Sequence, residues 1–146
     1  MLATESLEIA QNRDLEKQFA QKAGLQPVPY FAVQQESDLQ IAADEIGFPS
    51  ILKSNMLGYD GKGQYVVNGT DELIKAYEDV GKVDCVLEKQ IAIKCEISVI
   101  VARNAGAEMA SFPVAENQHR NGILHMSIVP ARVSDEVTQL AIENAS

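Results

Sequence analysis

The chain has 146 residues, of which 46% are hydrophobic and 23% charged, and its formal net charge is −9 at pH 7. This composition is that of a soluble globular protein, and the length predicts one ordinary domain. The acidic charge argues against a nucleic-acid or anionic-membrane partner, since such surfaces depend on clustered lysine and arginine. No apolar run approaches a membrane span and the N-terminus lacks a secretory signal pattern, so a cytoplasmic location is expected.

Hydrophobic periodicity predicts four helices in chain order, with short strands between them. The helices are expected over residues 5–24, 38–46, 70–81 and 134–146. Ser37, followed by Gln40, forms a capping-box pattern at the start of the second helix. The strands are expected over residues 26–33, 50–54, 64–68, 84–91, 95–103, 108–115 and 122–131.

The order of these elements predicts an α+β fold with a mainly antiparallel sheet and helices packed on it. A hairpin is expected around Asn104-Ala105-Gly106, where a turn signal separates two apolar stretches. The sequence shows no internal repeat and no low-complexity tract.

A glycine-rich loop, GYDGKG at residues 58–63, lies between two predicted strands. A P-loop would need Ser or Thr after Lys62 and a helix behind it, and the dinucleotide-binding fingerprint also opens a helix, so both motifs are excluded. A glycine-rich loop between strands is the arrangement of the flap that covers nucleotide phosphates in protein kinases. Glycine allows positive φ and leaves backbone N–H groups unshielded, which suits a phosphate. An ordinary hairpin turn stays open as the alternative.

Lys53 lies in an otherwise apolar predicted strand just before this loop. A lysine there is unfavourable unless its charge is paired or exposed. A phosphate would pair it, and an edge strand in water would serve equally well. Glu88 and Glu96 follow around a predicted bend, where carboxylates could accept hydrogen bonds from a ribose, although each is also explained as a solvated strand residue.

No metal-binding residue is predicted. Cys85 and Cys95 have no C-x-x-C spacing and are interpreted as small buried hydrophobes. His119 and His125 are separated by Gly122, which is expected to bend the chain, so a zinc pair is not favoured. His119 is the better functional candidate, because it lies in a polar, turn-rich stretch.

From about Leu7 to its C-terminus the chain resembles the 5-(carboxyamino)imidazole ribonucleotide synthases, which are ATP-grasp ligases of purine biosynthesis. The segments that carry the resemblance are QNRDLEKQF, GFPSILK, GYDGKGQ, LEKQI, EISVIVAR and PVAENQHRNGILHMSIVPARVS. Many ATP-grasp proteins share a lysine and a glycine-rich flap, but the combination with ENQHRNGIL is more specific. Biotin carboxylases and glycinamide ribonucleotide synthetases fit that second segment less well.

The resemblance implies a partial ATP-grasp fold and a nucleotide site. Arg13 and Lys53 are implied to act on the phosphates, and we treat both as catalytic candidates. Residues 58–64 would form the flap over the phosphates, residues 88–91 would meet adenine and ribose, and Glu96 and His119 would complete the site. The implied nucleotide-binding residues are Arg13, Lys53, Gly58, Tyr59, Asp60, Gly61, Lys62, Gly63, Gln64, Glu88, Lys89, Gln90, Ile91, Glu96 and His119.

The implied reaction uses ATP and bicarbonate, through carboxyphosphate, to carboxylate 5-aminoimidazole ribonucleotide. Members of the family are far longer than 146 residues, so the chain is interpreted as a fragment that is inactive alone. The resemblance implies a helical lead-in at residues 1–24, a small lid subdomain with the flap at 25–86, and the first part of a larger subdomain at 87–146. Magnesium is implied as a cofactor whose ligands lie in the missing C-terminal segment.

Missing neighbours would leave strand edges exposed, so a homo-oligomer, most simply a dimer, is expected. Two alternatives stay open for the function. The chain could be the nucleotide-binding module of another ATP-grasp carboxylase or ligase, or a non-catalytic interaction domain with a vestigial flap. No nucleic-acid or membrane partner is expected.

Overall fold

The computed structural model describes residues 4–56, 63–120 and 122–145. The fold is α+β, and every pair of neighbouring strands in its sheets is antiparallel, as predicted. The chain divides into two compact units, unit 1 (Met1–Ile91) and unit 2 (Ala92–Ser146). Over the described ranges, no helix has the length and hydropathy to cross a membrane.

Unit 1 contains one four-stranded sheet with the strand order β1-β4-β2-β3. Its strands are β1 (Tyr30–Val33), β2 (Ser50–Ser54), β3 (Gln64–Val67) and β4 (Cys85–Lys89), and its helices are α1 (Thr4–Gln11), α2 (Arg13–Lys22), α3 (Asp38–Ile46) and α4 (Thr70–Asp79). The order places β2 and β4 in the interior of the sheet and β1 and β3 at its edges.

Helices α3 and α4 cover the core of unit 1. Helix α3 carries apolar residues with helical spacing, so that Leu39, Ala42, Ala43 and Ile46 share one buried face. Helix α4 buries Leu73, Ala76 and Tyr77 in the same way. These residues form one cluster with Leu52 of β2 and Leu87 of β4, which are fully buried.

Two details of the helices differ from the sequence prediction. The single helix expected over residues 5–24 is two helices, because Asn12 is extended and its side-chain oxygen accepts the Leu15 N–H at 2.9 Å as an N-cap. The capping box at Ser37 is also wrong. Ser37 makes no capping hydrogen bond, and the Asp38 carboxylate instead accepts the backbone N–H groups of Gln34 and Gln35.

Unit 2 contains a three-stranded sheet, a separate two-stranded ribbon and one helix. The strands are β5 (Glu96–Ser98), β6 (Val101–Arg103), β7 (Met109–Ser111), β8 (Ala115–Arg120) and β9 (Ile123–Ile128), and the helix is α5 (Asp135–Ala145). The sheet has the order β5-β8-β9, and β6 pairs with β7.

The predicted hairpin around Asn104 is confirmed. Its side-chain oxygen accepts the backbone N–H groups of Gly106 and Glu108 and thereby closes the turn between β6 and β7. The single strand expected over residues 95–103 is wrong, because β5 and β6 belong to different sheets. The stretch around His119 is not turn-rich either: it is strand β8, which pairs with β9.

Candidate functional site

Glu88 is a buried carboxylate held between two lysines. Lys53 Nζ lies 2.6 Å from Glu88 Oε2, and Lys17 Nζ lies 3.0 Å from Oε1. Glu88 is only 7% exposed. The interpretation of Glu88 as a solvated strand residue is therefore wrong, and the carboxylate and two ammonium groups form one cluster with a net charge of +1.

The sheet register explains why Lys53 meets Glu88. In the antiparallel pair β2–β4, Ile51 lies opposite Glu88 and Lys53 lies opposite Val86. Side chains alternate along a strand, so Lys53 and Ile51 share a face, and Lys53 is the diagonal neighbour of Glu88. Because β2 lies inside the sheet, the alternative of an edge strand in water for Lys53 is wrong.

The lysines determine the protonation of Glu88. Burial alone would raise the pKa of this carboxyl, but the hydrogen bond and charge of Lys53, followed by those of Lys17, outweigh burial and lower the pKa below its ordinary value. Glu88 is therefore ionised at neutral pH. An anionic ligand approaching Lys53 would compete with this carboxylate for the ammonium group.

Arg13 is brought to the end of β2, directly beyond Lys53. Its Nε donates to the Ser54 carbonyl at 3.1 Å, and its backbone N–H donates to the Asn55 carbonyl at 3.0 Å. The Asn55 side-chain oxygen accepts the Asp14 N–H at 2.9 Å, and Asn55 is 8% exposed. This set of hydrogen bonds fixes the first turn of α2 at the end of β2, so Arg13 and Lys53 lie at the same end of the unit 1 sheet.

Strands β2 and β3 form the two arms of the predicted glycine-loop hairpin. Gln64 lies opposite Lys53, and the Ser54 N–H donates to the Gly63 carbonyl at 3.0 Å. A Cβ at Gly63 would lie 2.5 Å from Ser54 Oγ, so any larger residue there would require the Ser54 hydroxyl to move. The predicted site residues Gly58, Tyr59, Asp60, Gly61 and Lys62 lie outside the described residues.

The chain leaves the sheet after Lys89, which is the last residue of β4 and pairs with Ser50. The Lys89 N–H donates to the Pro29 carbonyl at 2.9 Å, and the Gln90 N–H donates to the Pro49 carbonyl at 3.2 Å. Ile91 is 51% exposed. The backbone donors of Lys89 and Gln90 are thus already engaged within unit 1, and their predicted contacts to an adenine stay a prediction.

Two predicted residues of unit 2 are brought together. His119 Nδ1 lies 2.5 Å from Glu96 Oε2, and both side chains are partly exposed. They come from the neighbouring strands β8 and β5, where Glu96 pairs with Asn117. A partly exposed acid–imidazole pair offers both a hydrogen-bond acceptor and a donor, and the contacts of Glu96 with the ribose and of His119 with the nucleotide stay predictions.

The structure adds residues that the sequence reasoning missed. Lys17 lies four residues after Arg13, hence on the same face of α2, and this spacing was the available signal. Asn55 gave no signal beyond its position after β2. Cys85 is buried as predicted, and burial raises the pKa of its thiol to about 11, whereas Cys95 is exposed, contrary to expectation. Within the described ranges, no group of three His, Cys, Asp or Glu residues could hold a metal ion.

Comparisons with known proteins found related sequences and structures. A sequence-family profile described as "ATP-grasp domain" matches residues 18–146. N5-carboxyaminoimidazole ribonucleotide synthase of Bacillus subtilis is 42% identical over 142 residues, which cover 97% of this chain and 37% of the relative. The chain thus spans little more than a third of the length of this curated relative.

Solved structures give the same result. The structure of an N5-carboxyaminoimidazole ribonucleotide synthetase in complex with ADP matches with a TM-score of 0.86 and 45% identity, covering 92% of this chain and 36% of that one. The Aspergillus clavatus enzyme in complex with ADP and 5-aminoimidazole ribonucleotide matches with a TM-score of 0.85 and 27% identity, covering 97% of this chain and 37% of that one.

Proposed function

The chain belongs to the ATP-grasp family, and from that premise we propose that it supplies the nucleotide-binding part of a ligase that carboxylates 5-aminoimidazole ribonucleotide with ATP and bicarbonate. The names of its relatives support the reaction, and their complexes with ADP and 5-aminoimidazole ribonucleotide support the substrates.

The observation that carries the proposal is the lysine cluster at Glu88. Lys53 lies in an interior strand at the base of the β2–β3 hairpin, with Arg13 anchored at the end of the same strand. An ammonium and a guanidinium at one end of a sheet form an anion site, and both offset negative charge on a transferring phosphoryl group. Lys53 and Arg13 are therefore the residues proposed to bind and orient the nucleotide phosphates.

ATP, when bound, would supply the phosphoryl group that activates bicarbonate. The hairpin arms β2 and β3 would hold the glycine-rich loop over the phosphates and exclude water from the activated species. In unit 2, Glu96 and His119 are proposed to contact the nucleotide through their exposed polar atoms.

Several finer points go beyond what the comparisons show. Bicarbonate as the carbon source, magnesium as a cofactor and a cytoplasmic location stay predictions, as does the division into a lid subdomain at 25–86 and a larger subdomain from 87.

Homodimer formation is proposed because unit 2 exposes several large hydrophobic residues, and light scattering would test it. A monodisperse monomer at high concentration would contradict it.

The reaction is tested with this chain extended to the full length of its relatives. ADP release is measured with and without 5-aminoimidazole ribonucleotide and bicarbonate, for the unchanged protein, Lys53→Ala and the control Lys75→Ala, which alters an exposed lysine of the same unit. We expect release that depends on both substrates, a loss of about a hundredfold or more in Lys53→Ala, and no loss in Lys75→Ala. Substrate-independent release, or full activity of Lys53→Ala, would contradict the proposal.

A further inference from the structure

Lys17 makes a contact that the proposed reaction leaves unexplained. Its Nζ pairs with Glu88 Oε1 at 3.0 Å, while Lys53 occupies the other carboxylate oxygen. The same Nζ lies 5.3 Å from the centre of the Tyr30 ring. The Lys17 side chain is 14% exposed, so helix α2 holds this ammonium group against the sheet rather than in water.

A phosphate that binds Lys53 has to draw its ammonium away from Glu88, at least in part. Glu88 is buried, and a buried carboxylate left without a partner is strongly unfavourable. If Lys53 were the single counter-ion of Glu88, the free energy needed to leave that carboxylate unpaired would weaken the binding of the phosphate. A second counter-ion on the opposite oxygen removes most of that cost.

We propose that Lys17 is a positioning residue, which keeps Glu88 paired so that Lys53 is free to place its charge on an anionic phosphate. This inference deepens the proposed function and rests on it for the identity of the ligand, a nucleoside triphosphate. It assigns separate roles to the two lysines: Lys53 contacts the phosphate, and Lys17 acts through Glu88.

The surroundings of Lys17 favour a lysine that stays paired with Glu88 when a phosphate binds. Tyr30 lies opposite Glu88 in the β1–β4 pair, so the ring and the carboxylate present one combined surface to the ammonium. An aromatic face attracts a cation and adds to the pull of the carboxylate. Lys53, in contrast, lies near the end of β2, one arm of the hairpin. Among the described residues, Glu88 is the acid with which it pairs.

A double-mutant cycle tests the proposal. The dissociation constant for ATP is measured by calorimetry for the unchanged chain, Lys17→Met, Glu88→Gln and the combined variant. Methionine keeps the packing on Tyr30 and removes only the charge. We expect Lys17→Met to weaken ATP binding by about tenfold or more, and to have less than about a twofold effect in the Glu88→Gln background. Equal effects of Lys17→Met in both backgrounds would overturn the inference.

Two further variants separate positioning from folding. Lys17→Arg restores a cation at the same place and should bind ATP within about threefold of the unchanged chain. Lys82→Met removes the charge of an exposed lysine of unit 1, which is 47% exposed, and should change nothing. Thermal unfolding of each variant is recorded alongside. Loss of ATP binding in Lys17→Arg as severe as in Lys17→Met would contradict the role of charge.

A readout without nucleotide separates this inference from the proposed function. The rate at which a small acylating reagent modifies Lys53 Nζ is followed by mass spectrometry. In Lys17→Met, Glu88 depends on Lys53 alone, so we expect Lys53 to react several-fold more slowly, and this slowing to vanish when Glu88→Gln is added. An unchanged rate in Lys17→Met would overturn charge sharing at Glu88. An unchanged chain that binds no ATP would instead overturn the proposed function.

Discussion

The two units of this chain are stabilised by different interactions. Among the described residues, the buried hydrophobic side chains all belong to unit 1 except Val114, which is 2% exposed. Helix α3 and helix α4 of unit 1 bury one face each, whereas α5 of unit 2 has no buried residue. Unit 1 therefore has a hydrophobic core, and unit 2 relies on strand pairing, turns and ion pairs.

The charged pairs show the same difference. Glu88 of unit 1 is enclosed with two largely buried lysines, so its charge is fixed in a low-dielectric setting. In unit 2, the carboxylate of Glu116 is buried as well, but its partner Arg132 has a side chain that is 64% exposed. A cluster that presents charge to a ligand with defined geometry needs the rigid support that unit 1 supplies, and the catalytic candidates Arg13 and Lys53 both lie there.

The largest expected effect is the loss of core packing in unit 1. Leu52→Ala removes a fully buried side chain and leaves a cavity, so it should lower the free energy of unfolding by about 2–5 kcal/mol. Leu124→Ala in unit 2, at a side chain that is 53% exposed, should cost below about 1 kcal/mol. Urea unfolding measures both. Equal losses would refute the distinction between the units.

A smaller effect is expected from the buried carboxylate. Glu88→Gln keeps the volume but leaves Lys17 and Lys53 without their counter-ion, and it should cost about 1–3 kcal/mol because both lysines retain some access to water. The matched change Glu36→Gln breaks an exposed pair with Lys82 and should cost below about 1 kcal/mol. Urea unfolding at neutral pH compares the two, and an inverted order would argue against a charge cluster in unit 1.

The pH dependence of unit 2 should follow Glu116. The hydrogen bond from Arg132 outweighs desolvation and lowers the pKa of Glu116 from its ordinary value of 4.5 to about 2. The unfolded chain then binds the proton more readily between these values, so the contribution to stability is present above pH 4.5 and is lost as the pH falls towards 2.

Amide hydrogen exchange of β8 at several pH values checks this expectation. Arg132→Gln should remove the part of the pH dependence that belongs to Glu116, and Arg103→Gln, a second arginine of unit 2, should leave it in place. An identical pH profile for the unchanged chain and Arg132→Gln would contradict the assignment.

The smallest effect is expected at Ser50, in the first position of β2. Its hydroxyl is fully buried, and no hydrogen-bond partner is found for it within the described part of the chain. Ser50→Ala removes an unsatisfied polar group and should leave the stability unchanged or raise it by up to about 1 kcal/mol. In unit 2, Ser98 Oγ accepts a hydrogen bond from Asn117 at 3.0 Å, so Ser98→Ala should be destabilising. A larger loss in Ser50→Ala than in Ser98→Ala, measured by thermal unfolding, would reverse the expectation.

The sequence predicted unit 1 better than unit 2, for a physical reason. Helix α3 and helix α4 have a buried face, and a buried face leaves a periodic pattern of apolar residues. Strand β8 was missed because its residues from Glu116 to Arg120 are all polar. The strand therefore lacks the alternation of apolar and polar residues by which a strand is recognised in a sequence. The break at Asn12 was missed because the helical spacing of apolar residues continues across it. The N-cap at Asn12 depends on its extended backbone conformation, which that spacing does not reveal.

The candidate site was predictable where a residue type is unusual for its element. Lys53 in an apolar strand and the glycine-rich loop were both recognisable, and the family resemblance supplied the rest. The Lys17–Glu88 pair joins residues that are distant in sequence, and nothing local to either one indicates the other. The pairing of Glu96 with His119 likewise depends on the β5–β8 register, which the sequence prediction did not contain.

The most direct test of nucleotide binding is a calorimetric titration of magnesium-ATP into this chain and into Lys53→Ala. We expect saturable binding to the unchanged chain, which Lys53→Ala weakens by about tenfold or more, corresponding to about 1.4 kcal/mol or more. Lys75→Ala should bind as the unchanged chain does. The absence of binding to the unchanged chain, or equal affinity in Lys53→Ala, would contradict the claim that unit 1 holds the phosphates through Lys53.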